Sequence, residues 1–219
     1  MPPSHRHASA RRALLRGGAA VVATAATMRA SAAALPARRP NAPTGAGRSP
    51  AAGPPGFPGA EWTPADASNL TAARRPLSHP IDHVVIHVAQ ETYRDTIGIF
   101  ADPSREVSAH YVVAADGRVA QCVADADIGW HAGNWGYNTR SIGIEHEGWV
   151  DEPEWFTDAM YAKSAALTAF LCATYGIPGD RSGIIGHHEV PGATHTDPGP
   201  LWDWDRYLRL VNSARATRG

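Results

Sequence analysis

The sequence predicts a single α/β domain in which a mixed central β-sheet is flanked by helices. Three observations carry this. Ile81-Asp-His-Val-Val-Ile-His-Val88 is β-branched and densely apolar, as a central strand buried on both faces would be. Val107–Val113 and Arg118–Val123 flank an Asp116-Gly117 turn, a hairpin pattern that requires antiparallel pairing. A long helical stretch after residue 157 is then followed by another short apolar strand, so strands and helices intermix along the chain.

The elements follow in order. Residues 1–35 read as an export signal rather than part of the fold. Arg6, Arg11, Arg12 and Arg16 precede an apolar run from Gly17 to Met28, and Ala30-Ser-Ala-Ala-Ala34 supplies small residues for cleavage. That run is shorter than the roughly 18–20 residues needed to span a bilayer, so no stable membrane insertion is expected after cleavage. Ser9-Ala-Arg-Arg-Ala-Leu-Leu15 resembles a twin-arginine signal, and an ordinary signal with paired arginines is the alternative. Either route places the mature protein outside the cytoplasm. Residues 36–60 are rich in Pro, Gly and Ala without periodicity and are expected to be a disordered linker. The folded domain is expected over residues 61–219.

Within it, Arg94–Ala101 suits a short helix stopped before Pro103, and Ser141-Ile-Gly-Ile-Glu-His-Glu147 alternates as a strand. Ile142, Ile144 and His146 share one face of that strand, and Gly143, Glu145 and Glu147 the other. Thr157 is placed to cap the long helix, with Phe156 stapling onto Tyr161. Met160, Leu167, Phe170 and Leu171 form its apolar stripe, and Gly176 with Pro178 ends it. Gly183–His187 reads as a short strand running into a loop, and Trp202–Val211 as the last helix.

Composition narrows the function classes. Apolar residues make up 43% of the chain, enough for a real core. Residues 1–60 hold eight of the 20 Lys+Arg and none of the 21 Asp+Glu, so the remainder carries 12 basic against 21 acidic side chains. A domain that acidic lacks the clustered cations that grip phosphate, which argues against nucleic acid as a partner. Eleven His and seven Trp are many for this length, and both types are over-used in metal sites and carbohydrate clefts. No H-E-x-x-H, G-x-S-x-G or Walker sequence is present.

Three polar points stand out: His87 ending the first strand, His187 and His188 ending a later one, and Asp197 in a Pro-rich loop. A His at the end of a core strand is buried on one side and reaches solvent on the other, where a metal ligand must sit if a water is to occupy an open position. Cys122 and Cys172 are the only cysteines and lack metal-ligand spacing; whether they pair is left open by the sequence.

Six segments now occur in order: Val84-Val-Ile-His87, Val107-Ser-Ala-His-Tyr-Val-Val113 with Asp116-Gly117, Trp130-His-Ala-Gly133, Ser141-Ile-Gly-Ile-Glu145, Ile185-Gly-His187 and Thr196-Asp-Pro-Gly-Pro200. Together they resemble the zinc-dependent type-2 N-acetylmuramoyl-L-alanine amidases, the superfamily of phage amidase lysozymes and peptidoglycan recognition proteins, and most of all its exported actinobacterial members. The resemblance spans roughly residues 62–210. It implies Zn²⁺ held by His87, His187 and Asp197 at the sheet's edge in a surface cleft, with His188 the alternative to His187. It implies Glu145 as the carboxyl that takes a proton from water and returns it to the leaving nitrogen, with Glu147 as substitute candidate. Glu147, on the same strand face, is also expected to raise the pKa of Glu145 by like-charge repulsion. Related amidases place Lys or Thr two residues before the last ligand; here that position is His195, a candidate hydrogen-bond donor to the oxyanion, since the sole lysine, Lys163, falls in a helix. The Tyr that phage-type relatives carry before the hairpin His is Ala109 here.

Trp130, His131, Asn134 and Trp135 offer aromatic faces and polar groups suited to a sugar–peptide junction and are the candidate substrate contacts. His110, His83 and Tyr93 receive structural readings. The implied activity is hydrolysis of the amide between the lactyl group of N-acetylmuramic acid and L-alanine, with peptidoglycan or a muropeptide as partner. The expected protein is a secreted, wall-associated monomer. The rivals are a non-catalytic peptidoglycan-binding module and a zinc amidase acting on another exported amide.

Overall fold

β-Branched and aromatic runs build the sheet, and capped helices cover it. The computed structural model describes residues 55–217; the expected signal, 1–35, and the expected linker up to residue 54 lie outside the described residues. In chain order the strands are β1 (Glu61–Trp62), β2 (Leu70–Thr71), β3 (His83–Ile86), β4 (Tyr111–Val113), β5 (Val119–Gln121), β6 (Ile128–Gly129), β7 (Ser141–His146) and β8 (Ile184–Gly186). The helices are α1 (Tyr93–Ala101), α2 (Trp135–Arg140), α3 (Asp158–Tyr175) and α4 (Trp204–Ala216). Six strands form one mixed sheet in the order β1-β5-β4-β7-β3-β8, while β2 and β6 pair separately. β4 and β5 are the antiparallel hairpin across Gly117, whose φ of 85° suits a residue without Cβ. β4, β7, β3 and β8 all run parallel.

Period-two alternation sorts the strand residues onto two faces. Val84, Ile86, Tyr111, Val113, Ile142 and Ile144 pack with α3 and α4 residues such as Leu167, Leu171, Tyr207 and Val211 in the larger core. On the opposite face Val112, Ala120 and Cys122 pack beneath α1 through Tyr93 and Phe100, and Val85 and Ile185 pack beside Ala132 and Val190. The sheet is thus covered on both sides, as a mostly parallel sheet must be.

The helix ends are set by local chemistry. Thr92 caps α1 by accepting from the Asp95 amide, and Thr157 caps α3 by accepting from the Met160 amide. α3 closes on Gly176 in the left-handed conformation, φ 71°. Asp203 caps α4, so this helix begins after Trp202 rather than at it; Trp202 is buried in the core ahead of the cap. Phe156 and Tyr161, expected to pair as a staple, both pack on that indole at 6.0 and 4.7 Å between ring centres.

Two further expectations need correction. Residues 107–110 do not continue β4. The His110 amide bonds to the Gly143 carbonyl, but the Gly143 amide donates to the His110 ring Nδ1, so an imidazole replaces the carbonyl a regular ladder would use. The boundary at residue 60 is late, because Phe57 is buried in the larger core and meets Phe170 edge-on at 5.8 Å. Cys122 and Cys172, whose pairing the sequence left open, are both buried free thiols.

Candidate metal centre

Strand register alone brings three of the candidate residues together. Ile86 of β3 pairs with Ile144 of β7 on one side and with Gly186 of β8 on the other. The next residue of each strand is His87, Glu145 and His187, so the three emerge at one level, on one face, at the carboxyl ends of adjacent parallel strands. Ligand sites of open α/β sheets gather at such an edge. Strands lie about 4.8 Å apart, and the His87 and His187 ring centres are 4.6 Å apart.

Asp197 is delivered by the loop between β8 and α4. The His188 amide and the His188 Nδ1 both lie against the Asp197 carbonyl oxygen, at 3.0 and 3.1 Å, and so fix this loop. His188 therefore anchors the aspartate's backbone and does not point at the centre as an alternative ligand. The Asp197 carboxylate faces both imidazoles: Oδ1 is 3.0 Å from His187 Nδ1 and Oδ2 is 3.2 Å from His87 Nδ1. All three residues are buried, and their donor atoms lie within 4.8 Å of one another. Zinc bonds of about 2.0–2.2 Å to N and O place tetrahedral ligands about 3.3 Å apart, close to the two contacts observed. Two imidazoles and one carboxylate fit a cation of that size and leave room for a fourth, exchangeable position.

Electrostatics agree with an acceptor-rich centre. Burial lowers the His87 pKa against the pull of Asp197. Burial alone would raise the pKa of Asp197, but its close contacts with His187 and His87 outweigh it and hold the carboxyl well below its ordinary range. Glu145 lies beside them, with Oε1 3.9 Å from His87 Nδ1 and a side chain only 14% exposed. Its Oε2 is buried without a hydrogen-bond partner among the described residues. Burial first, and the Asp197 charge second, push its pKa well above the usual carboxylate value. Glu147 has no part in that shift: its carboxylate accepts from the Tyr93 and Ala115 amides at 2.9 and 2.7 Å, tying β7 to α1 and to the hairpin turn. Glu147 is a structural clamp, which also removes it as the substitute for Glu145.

These groups open into a cleft of about 560 Å³ lined on its far side by Thr96, Ile99 and Phe100 of α1 and by Arg105. His195 stands on its rim, exposed, with its ring stacked on that of His187 at 5.2 Å and 14°. The four candidate substrate contacts divide. Trp135 is 56% exposed. Trp130 is half-buried, its indole N–H donating to Thr71 Oγ1, and both indoles line a second hollow with Glu106 and Gly133. Asn134 has spent its polar atoms on the fold: Oδ1 caps α2 at the Tyr137 amide and Nδ2 donates to the Pro191 carbonyl. His131 is 6% exposed, with both ring nitrogens against protein groups. Its contact with the centre went unread in the sequence, although Gly143 inside a strand signals close approach by another group.

Comparison with known proteins accords with this geometry. The family model described as Amidase_2, N-acetylmuramoyl-L-alanine amidase, matches residues 77–200. The chain is 34% identical over 174 residues to N-acetylmuramoyl-L-alanine amidase A of Achromobacter lyticus, an alignment covering 71% of this chain and 95% of the relative. Among solved structures, a selenomethionine AmpD derivative superimposes with a TM-score of 0.59 at 29% identity, covering 71% of this chain and 96% of that one. AmiD from E. coli, in complex with the substrate anhydro-N-acetylmuramic acid-L-Ala-D-gamma-Glu-L-Lys, superimposes with a TM-score of 0.52 at 26% identity, covering 59% of this chain and 57% of that one.

Proposed function

Because the chain belongs to the N-acetylmuramoyl-L-alanine amidase family, we propose that it hydrolyses the amide joining the lactyl group of N-acetylmuramic acid to the L-alanine of a peptidoglycan stem peptide. One observation carries the reading: the register that aligns Glu145, His87 and His187, closed by Asp197, sets a protonatable carboxyl with an unsatisfied oxygen beside a three-donor cation site.

In this reading His87, His187 and Asp197 hold Zn²⁺, which when bound acts as a Lewis acid on the scissile carbonyl and on a water. Glu145 takes the proton of the attacking water and delivers it to the amide nitrogen, which cannot leave unprotonated. Burial raises its pKa, which favours keeping the proton until the nitrogen takes it. His195, on the cleft rim beside His187, donates a hydrogen bond as charge develops on the carbonyl oxygen. Trp135 and Trp130 offer the hollow where sugar or peptide packs against indole faces. We infer also that the protein acts outside the cytoplasm, at the cell wall; the Arg-rich, then apolar, then small-residue order of residues 1–34 supports this.

Incubation of the zinc-loaded protein with purified peptidoglycan and with a defined muropeptide, followed by mass spectrometry, tests the reading. Release of stem peptides with a new N-terminal L-alanine is expected. Binding without release would mark a non-catalytic wall binder, and cleavage of other amides with muropeptides untouched would mark an amidase of different specificity.

A further inference from the structure

We propose that His131 is a positioning residue that sets the tautomer of His87, through a directed chain of hydrogen bonds running from a backbone carbonyl of α2 to the nitrogen that faces the cation site. The proposal rests on His87 being a metal ligand.

The direction of each link follows from the one before. The Tyr137 carbonyl can only accept, so Ser141 Oγ, 2.6 Å away, gives it the one hydroxyl proton. Ser141 Oγ then has only lone pairs for His131 Nε2 at 3.3 Å, so that nitrogen carries hydrogen and donates. A neutral imidazole protonated at Nε2 is bare at Nδ1, and His131 Nδ1 lies 3.0 Å from His87 Nε2. His87 must therefore donate from Nε2. Its lone pair is left on Nδ1, the atom 3.2 Å from Asp197 Oδ2. Two acceptors face each other there, an arrangement that repels unless a cation lies between them. Were the chain reversed, His87 Nδ1 would carry a proton toward Asp197, and a cation would first have to displace it.

The packing around His131 is built to hold its ring. Asn138 Oδ1 accepts from the His131 and Ala132 amides at 3.2 and 2.8 Å, fixing the backbone. The ring then lies over β7 at Gly143, where a Cβ would come within 2.5 Å of His131 Cγ. Only glycine leaves this space. His110 and His87 meet the ring edge-on at 5.6 and 5.1 Å, and among the described residues its ring nitrogens meet only His87 and Ser141, with no carboxylate to favour a second proton.

Zinc affinity, measured by competition with a chelating dye, and ¹⁵N NMR of histidine ring nitrogens in the zinc-loaded wild type test the proposal. His131→Phe should weaken zinc binding about 10- to 100-fold. His131→Asn, whose side-chain oxygen falls where Nδ1 was and accepts from His87, should recover most of that loss; a ring that merely filled space would be replaced better by Phe. Ser141→Ala, a milder change, should cost a few-fold. The NMR spectrum of the wild type should show His131 protonated at Nε2 and bare at Nδ1. His131 protonated at Nδ1, alone or with Nε2, would overturn the proposal, and so would Phe and Asn variants that bind zinc as tightly as wild type. A wild type that binds no zinc would overturn the ligand set and this proposal together. One that binds zinc with the expected tautomer but leaves muropeptides intact would overturn the activity while supporting the proposal.

Discussion

His87 and His146 lie at the ends of paired strands on opposite faces of one sheet, and both are buried, yet their surroundings differ in kind. His146 donates from Nδ1 to the His87 carbonyl at 2.7 Å, and its Nε2 meets Ser164 Oγ at 2.6 Å. Ser164 in turn contacts Tyr207 Oη, which contacts Thr168. The ring packs on Trp202 at 4.6 Å. Both ring nitrogens of His146 have neutral partners, and burial holds its pKa down to about 3. On the other face, two imidazoles and two carboxylates crowd together, and Glu145 Oε2 has no partner among the described residues. Burial of a histidine is therefore not what marks a functional centre. What separates the two is their company: His146 meets a carbonyl and a hydroxyl, whereas His87 lies among two carboxylates and a second imidazole.

The comparison is broken most severely by Asp197→Ala, which removes the only anionic member of the donor set. Stoichiometric zinc should be lost, and muropeptide cleavage should fall about a thousandfold or more; metal analysis and chromatography of the products check both. Full zinc content in this variant would sink the ligand assignment. Glu145→Gln should instead keep zinc while cleavage falls about 10²- to 10⁴-fold, and loss of metal would show that the carboxylate is itself a ligand.

On the opposite face, His146→Leu should leave zinc stoichiometry unchanged and lower folding stability by about 1–3 kcal/mol, because Ser164 and the His87 carbonyl lose their partner. The pH dependence sharpens this. The unfolded chain takes a proton on residue 146 near pH 6.5, while the native state refuses it until about pH 3. The histidine's contribution is thus complete above pH 6.5 and declines as pH falls toward 3, by about 1.4 kcal/mol per pH unit. Urea unfolding of wild type and variant across that range should differ by one proton's slope. The smallest effect is expected from Trp135→Ala, a rise of about two- to tenfold in KM for muropeptide with kcat unchanged, read from steady-state kinetics.

The strongly periodic elements were legible in the chain. The β-branched run of β3, the alternation of β7 and the capped, glycine-terminated α3 lie within a residue or two of their expected places, because each depends on side chains near in sequence. β1, β2 and β6 are two residues long and carry no period to read. α2 was hidden because Asn134 looked like a substrate contact and is its cap. Glu147 misled for a related reason. Alternation put it on the face of Glu145, but one repeat further along the strand it meets the amides of α1 and the hairpin instead. Asp197 stood out in its Pro-rich loop, but its role as a ligand and the choice of His187 over His188 came from family resemblance, since spacing does not say which of two adjacent histidines turns inward.

By itself the sequence determined the strongly periodic strands, the ends of the long helix and the residue types able to bind a cation, because periodicity, capping and side-chain chemistry are properties of near neighbours. Only the tertiary structure decided that Ile86, Ile144 and Gly186 share one level, that His131 lies over Gly143 beside His87, and that His146 is satisfied on the far side. Strand register and ring orientation are settled by contacts between residues 12 to 100 positions apart, and no local pattern records them.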